Sequence, residues 1–470
     1  MTVADARLAG AIGEVRAAFP ADDVWLVGGA VRDILLGREL TDWDLVTTGD
    51  AEAVARAHAR AIGAPVFPLS ERHGAWRVVG EEREVDVTAA PDGIAADLLR
   101  RDLTVNAIAV RLGDGEVVAV PGALDDVDAR VLRAVSDRSF ADDPLRLLRL
   151  VRLAAELDLA IDGGTAEQAR RDAGRAAEPA GERQRAELER ILLSRDPVDG
   201  LRRLDDLGLL AVVLPELKAL EGVEQNRYHH LDVLDHTLQV LDGAVDLIDH
   251  PEFAFGAAAP AVAAALAEEL DAESDVALAV RWGALLHDIA KPRTRQTFED
   301  GHIGFPGHAE EGAVLADEML GRLRCSTAMR RCVALLVREH LRLGFLVGDG
   351  EIDARAVHRY RVATDPYPIA TVVVSLADRW STRGTRARQR WIRRHEQLAA
   401  TMAGLLAEPP APALIRGDEL AAALGIEPGP ELGALLARIA EEQAAGTIGS
   451  ADEAVGFARS AGAKGGEDGR

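Results

Sequence analysis

Cysteine is almost missing: Cys325 and Cys332 are the only two in 470 residues. Two thiols seven positions apart make neither a disulfide framework nor a zinc motif, so a reduced cytoplasm is the expected setting. Long apolar runs are missing too, and no stretch of about twenty apolar residues is available to cross a bilayer. The most apolar segment, FAFGAAAPAVAAALAEEL, is rich in Ala, holds Pro260 and ends in acids, which suits a buried helix with its preceding loop. The first residues, MTVADARLAGAIGEVRAAFP, have no basic start and no apolar core, so no secretion signal is expected. Lysine is scarce, occurring only as Lys218, Lys291 and Lys464, so nearly all of the 54 basic side chains are Arg. Arg binds phosphate through a rigid fork. Genome base composition accounts for the abundance of Arg as well as function does, but not for where the Args cluster. Positive charge is in deficit overall, with a net charge of −24. That argues against non-specific nucleic-acid binding over the whole surface and leaves room for a local basic groove.

What is present divides along the chain, whose length suits about three domains. Residues 1 to 20 read as an amphipathic helix, VWLVG as a short buried strand, and AVRDILLG as a helix stopping at Gly37. TDWDLVTT alternates like a strand, AEAVARAHARAIG is helical, and AWRVVGEEREVDVTAA reads as two strands joined at GEER. The first 139 residues are therefore mixed α/β, and beyond Ser139 the chain turns almost wholly helical.

The stretch WLVGGAVRDILLGRELTDWDLVTTG concentrates chemistry. On a strand, residues i and i+2 face the same way, so Asp42 and Asp44 project together. Two adjacent carboxylates repel unless a cation lies between them, and a hard divalent ion suits oxygen ligands. Gly28 and Gly29 let the backbone approach a ligand closely, and the helix that follows turns its free N–H groups toward any phosphate there. Arg32, in its first turn, adds a charged fork. Asp86, flanked by apolar residues in EVDVT, offers a third carboxylate on another strand. Each piece alone has a plain reading: a solvated loop, or a turn before a helix. Their concentration in one segment is what carries the inference.

LVGGAVRDILLG followed by TDWDLVT, then RRDLTVNAIAV, PGALDDVDARVLRAV, FADDPLRLLRLVRLAAEL and ERQRAELERIL, resembles the class II tRNA nucleotidyltransferases (CCA-adding enzymes) and the bacterial poly(A) polymerases of the polymerase-β superfamily. The resemblance covers roughly the first 220 residues. It implies catalytic carboxylates at Asp42, Asp44 and Asp86, Mg²⁺ on Asp42 and Asp44, and a triphosphate held by Gly28, Gly29, Arg32 and either Arg100 or Arg101. It also implies that Asp102 and Asn106 order the site. Base selection by protein is implied for Asp143 and Arg146, with Arg149 and Arg152 following at the same spacing to hold base and triphosphate. The family pattern begins with Glu where this chain has Asp142. Taken alone, DDPLRLLRLVR is an amphipathic helix capped by Asp143 with Pro144 at its first position. Glu182, Arg183 and Glu187 match a supporting helix.

HHLDVLDHTLQV, WGALLHDIAKP, GHAEEGA, REHL and LADRW follow in order and resemble the HD phosphohydrolase domain. Carried over, the metal ligands are His236, His287, Asp288 and Asp378, with His308 and His340 able to complete a second metal and Lys291 facing phosphate. Imidazole and carboxylate together suit a divalent transition metal. The densest basic run, RWSTRGTRARQRWIRRHEQ, interleaves Trp380 and Trp391, so Arg386, Arg388, Arg390 and Arg393 are candidate RNA contacts, or simply an exposed helix face.

The expectation is an α+β chain: a small mixed α/β nucleotidyltransferase head (1–139), a helical nucleotide-selecting neck (140–222), an HD domain (223–400), a helical C-terminal segment (401–460) and a disordered tail (461–470). The expected activity is transfer of CMP and AMP from CTP and ATP to the tRNA 3′ end without a nucleic-acid template, in the cytoplasm and without a membrane partner. The alternatives are CC-only, A-only or poly(A) addition, an HD phosphohydrolase with a nucleotide-sensing front domain, and a non-catalytic RNA-binding protein. Poly(A) polymerases usually carry a long basic extension, whereas this chain ends acidic. Oligomeric state is not legible.

Overall fold

The computed structural model describes residues 8, 10–19, 23–40, 42–70, 74–81, 83–226, 228–347 and 352–465. They form two compact units, Met1–Val213 and Leu214–Arg470.

The first unit opens with helix α1 (Gly13–Ala18), the described part of the expected N-terminal helix. Its sheet contains β1 (Val24–Val27), β2 (Trp43–Thr47), β3 (Val66–Ser70), β4 (Ala75–Val79), β5 (Glu84–Ala89), β6 (Ile108–Arg111) and β7 (Val117–Ala119). The strand order is β3-β4-β5-β2-β1-β6-β7. β2 and β5 run parallel, and every other neighbouring pair is antiparallel. All four residues of β1 are buried, as expected of a central strand covered on both faces. Leu26, Leu45 and Val87 on adjoining strands are fully buried, each contributing about 2 kcal/mol. Between β1 and β2 lies helix α2 (Gly29–Leu35), and between β2 and β3 lies α3 (Ala51–Ile62). The Asp50 carboxylate caps α3 by accepting from the Ala53 N–H, and Gly63 closes it in the left-handed region. The short helix α4 (Ile94–Leu99) follows the sheet's fifth strand.

Beyond the sheet, α5 (Arg146–Leu157) packs on α6 (Gly181–Leu192). The sequence placed Asp143 as the cap of α5, but the helix begins at Arg146 with no side-chain cap. Asp143 is extended, and its carboxylate accepts from the Leu145 N–H at 3.2 Å, one turn short of the helix proper.

In the second unit, helices α7 (Val233–Asp249), α8 (Val276–Leu286), α9 (His308–Arg322), α10 (Thr327–Glu339), α11 (Ala354–Ala363), α12 (Pro368–Ser381) and α13 (Gln389–Ala407) build an all-helical body. α7 packs on α12, and α8 packs on α7, α10 and α12. These helices start where short polar side chains accept backbone N–H groups, Asp232 for α7, Asp275 for α8 and Ser326 for α10. Three further helices, α14 (Gly417–Leu424), α15 (Pro430–Ala444) and α16 (Ala451–Gly465), close a separate small core around Leu420, Leu435 and Ile439. α16 continues through 461–465, where a disordered tail was expected, and 466–470 lie outside the described residues. Among the described residues no helix is long and apolar enough to cross a membrane.

Candidate functional site

Two clusters of polar side chains stand out, one in each unit. In the first, parallel pairing sets Asp44 of β2 directly beside Asp86 of β5. Equivalent positions in paired strands share a face, so the two carboxylates project together. Asp42 lies in the bend just before β2, and its charge reaches Asp44. Asp42 and Asp44 are exposed, yet burial by the surrounding walls is the largest cause of a raised pKa at Asp44. Arg101 and Arg149 oppose this rise, and Asp86 and Asp42 add to it. A carboxylate held this way gains from a cation.

Asp86 is not idle. Arg77, its cross-strand partner on β4, grips it with two bonds of 2.8 Å. Sequence reasoning missed Arg77, whose register opposite Asp86 only the hairpin reveals. Three-ligand groups with all donor atoms within 4.8 Å occur among the described residues in the second unit, and Asp42, Asp44 and Asp86 do not form one.

The glycine corner works through Arg101. Gly28 has φ +70°, and a Cβ there would meet Arg101 Nη1 at 2.5 Å. The bare backbone therefore makes room for the guanidinium. Asp97, four residues back on α4, holds Arg101 Nε at 2.9 Å. Arg100 instead reaches out to Asp92 on the surface. Both line one cavity, but only Arg101 lies against Gly28 and acts on Asp44.

Arg32 turns inward. Its fork binds Asp33 twice at 2.9 Å, and Nη1 donates to Asn106 Oδ1 at 2.7 Å. Asn106 in turn donates to Asp102 at 3.0 Å, and Arg149 closes the chain on Asp102 at 2.7 Å. Burial would raise the pKa of Asp102, but Arg149 and the bonds from Asn106 and the Leu103 N–H hold it below the ordinary carboxylate value. Asp102 and Asn106 are thus a buried brace between the glycine corner and α5.

A cavity of about 270 Å³ collects Arg100, Arg101, Asp102, Asp143, Arg146 and Arg149. Within it Arg146 donates to the carbonyls of Arg100 at 2.7 Å and Ser139 at 3.2 Å, tying the start of α5 to the Arg100–Arg101 corner. Asp143 accepts from Arg183 at 3.2 Å, a partner that the sequence reading assigned only to support. Arg152 is the exception. It is buried in ion pairs with Glu187 and Glu156 and does not line the cavity. Steps of three residues drift by about 60° around a helix, so two steps from Arg146 turn Arg152 onto the packed face.

In the second unit His236 projects from α7, His287 and Asp288 follow α8, and His308 opens α9. His340 ends α10, and Asp378 lies on α12. His236, His287 and Asp378 form one group of ligand atoms within 4.8 Å of one another, and Asp288, His308 and His340 form a second. The Nδ1 atoms of His287, His308 and His340 lie 2.7–2.8 Å from the carbonyls of Ala284, Phe305 and Val337. A carbonyl only accepts, so each Nδ1 carries a proton and each Nε2 presents a lone pair. His287 Nε2 and His236 Nε2 are only 3.3 Å apart, and His236 Nε2 is 3.2 Å from Asp378 Oδ1. His308 Nε2 is buried without a hydrogen-bond partner. Facing lone pairs and an orphaned nitrogen fit a divalent metal, and carbonyl-anchored imidazoles are how proteins orient such ligands. Desolvation, then the nearby His287, pushes the His340 pKa down to about 4, which keeps that ligand neutral. Lys291 reaches Asp288 at 2.6 Å and Gln225 at 2.6 Å. Gln225 and His229, which stacks edge-on to His236, were not singled out in the sequence; their signal is proximity to YHH before α7.

Comparison with known proteins supplies the context. The family described as "Poly A polymerase head domain" matches residues 24–91 and 75–133, "Probable RNA and SrmB- binding site of polymerase A" matches 158–221, and "HD domain" matches 233–383. The A-adding tRNA nucleotidyltransferase of Deinococcus radiodurans is 37% identical over 442 residues, covering 92% of this chain and 94% of its own length. The CC-adding tRNA nucleotidyltransferase of Thermus thermophilus is 37% identical over 445 residues, covering 93% of each. The Thermotoga maritima CCA-adding enzyme solved with tRNA shares the fold, with a TM-score of 0.61 at 21% identity over 97% of this chain and 94% of that one.

Proposed function

The chain belongs to the family of tRNA nucleotidyltransferases that add all or part of the 3′ CCA sequence, and from that premise we propose a division of labour among its residues. It is a tRNA nucleotidyltransferase, which we read as using both CTP and ATP on the tRNA 3′ end and as working in the cytoplasm. The observation that carries the site assignment is Asp44 standing in register with Asp86 beside Arg101 and the glycine corner.

Asp42 and Asp44 hold divalent cations, for which Mg²⁺ is the natural choice. Such ions supply neutralisation of the charge that develops on the transferring and leaving phosphates. Asp86, locked by Arg77, sets the field beside Asp44. Arg101 and Arg149 face the triphosphate, Arg101 being favoured over Arg100 by its place against Gly28. Arg32, Asn106 and Asp102 brace these groups from behind. Asp143 and Arg146 offer acceptors and donors to a base edge from one cavity wall. The HD cluster holds a transition metal and handles phosphate. The four-part division into head, neck, HD and C-terminal segment remains our working map.

A second reading has a specific basis, since two of the relatives described above are named for adding only A and only CC. Purified protein incubated with tRNA lacking CCA, or ending in C or CC, with each NTP singly and together, decides between them. Stepwise growth to CCA with both nucleotides supports the full activity. Growth that stops at CC, or occurs only on CC-ending tRNA, assigns a partial one. Unlimited A addition to any RNA would sink both.

A further inference from the structure

Asp42, Asp44 and Asp86 do not bring three donor atoms within 4.8 Å of one another, and a neighbour accounts for it. Asp86 stands between two partners, with Asp44 beside it on β2 and Arg77 opposite it on β4. The guanidinium holds it. Arg77 Nε donates to Asp86 Oδ1 and Nη2 donates to Oδ2, each at 2.8 Å, so one fork occupies both oxygens. Whatever Asp86 could lend to a cation beside Asp44 is committed to β4.

A plain staple between the strands of a hairpin would share that geometry. Two further observations set Arg77 apart from one. It has a second acceptor, since its Nη1 lies 2.6 Å from Glu84 Oε2. Glu84 is two residues before Asp86 on β5, so it projects from the same face, but beyond the last pair of β5 with β2. The ion pairs are also shallow. The side chains of Arg77, Asp86 and Glu84 are all between a quarter and a half exposed, and salt bridges so open to water add little stability and open readily. The charge of Asp42 acts on Arg77 as well. A guanidinium held by two carboxylates and attracted by a third stands where a divalent ion would be attracted too.

We propose that Arg77 is the resident counter-cation of this acidic face: it withholds Asp86 while Asp42 and Asp44 carry no divalent ion, and moves its fork wholly onto Glu84 once they do, releasing Asp86 toward Asp44. Arg77 is then a positioning residue, and Glu84 is its resting place. The lock on Asp86 is one of two states, and the share of molecules with Asp86 released sets how much divalent ion the site needs. The inference rests on the reading of Asp42 and Asp44 as cation ligands.

The test is Mn²⁺ binding to the full-length protein, followed by electron paramagnetic resonance of the free ion. The site in question is the one that Asp44→Ala removes. Arg77→Gln is expected to tighten it about tenfold, because no guanidinium competes for Asp86. Glu84→Gln is expected to weaken it about fivefold, because the fork has nowhere else to go. The double variant should match Arg77→Gln within about twofold, since Glu84 matters only while Arg77 is present. Melting curves check both variants, and the half-exposed Glu84 makes Glu84→Gln the safer one for folding. Mn²⁺ binding that is unchanged or weaker in Arg77→Gln overturns the proposal and leaves Arg77 as a staple. Equal weakening by Glu84→Gln with and without Arg77 also overturns it, because Glu84 then acts by charge alone. A site lost in Asp44→Ala but indifferent to both variants sinks the proposal and spares the cation reading. Retention of every Mn²⁺ site in Asp44→Ala sinks the cation reading itself.

Discussion

The two polar clusters of this chain are built on opposite plans. In the first unit Asp44 is exposed on a strand and Asp42 in the bend before it, with the charges of Arg101 and Arg149 acting on Asp44. In the second unit the imidazoles of His236, His287 and His340 are almost fully buried, and three ring nitrogens are fixed to carbonyls at the ends or starts of helices. On the reading proposed above, the first plan would leave its cation site to be completed by the nucleotide that arrives with it. The second is complete before any ligand comes. Exposed charges are mobile and screened by water; buried ligands are held by packing and are costly to leave uncompensated.

Five experiments break or sharpen that contrast. Asp44→Ala is expected to lower nucleotide addition by about 10³-fold or more, while the bound transition metal of the second unit, measured by elemental analysis, stays at its wild-type level. A loss of metal along with activity would mean that the two plans are not independent. His287→Ala should do the reverse: transition metal falls to background, and tRNA extension in Mg²⁺ stays within about twofold of wild type. In the unaltered protein, brief EDTA treatment should stop extension, and Mg²⁺ should restore it at once. A metal held by the second unit's cluster should leave only slowly under the same treatment, as elemental analysis checks.

Gly28→Ala probes the corner. At φ +70° and ψ −131° the backbone suits Gly alone, which costs an Ala about 1–3 kcal/mol, and the new methyl displaces Arg101. A fall of about tenfold in kcat/KM for NTP, with a melting temperature only a few degrees lower, is the expected outcome. Full activity would remove Arg101 from the triphosphate site. The smallest effect, one on stability, is expected from Asp44→Asn. Because the folded-state pKa of Asp44 is raised, the folded protein binds that proton more tightly than the unfolded chain does. The charge therefore destabilises above the ordinary carboxylate range, and the penalty fades as pH falls toward about 4, where the unfolded chain takes up the proton too. Asp44→Asn should melt slightly higher than wild type at pH 7, with the gap closing in acid, although it adds no nucleotide. An equal or lower melting temperature at pH 7 would show that nothing strains that carboxylate.

Much of this was legible in the residues. The apolar VWLV, the alternation in TDWDLVTT and the glycine pair placed β1, β2 and the corner correctly, because burial and sterics act locally there. The order of the HD histidines was equally plain. Strands β3, β6 and β7 escaped notice. VFPLS has no clean alternation and contains Pro68, while IAVR and VVA are too short to carry a period. The partners of the site residues were hidden for a different reason. Arg77 on Asp86, Arg183 on Asp143 and Gln225 on Lys291 are contacts between distant positions, set by register and helix packing that no single segment encodes. Arg152 was misplaced because its regular spacing looked like a shared face, while Glu187, buried on α6, claims it.

The register of β2 against β5 has a consequence for synthesis of the chain. Strand β2 gains its second neighbour only after the polypeptide has travelled out through β3 and β4 and returned as far as Ala89. Until then Leu45 and Val46 belong to an unfinished edge, and Asp44 has no companion. A nascent head released before that point has nothing to bring its two acidic strands side by side. The pair of acidic strands at the proposed nucleotide-adding centre therefore requires two segments some forty residues apart to have both been made.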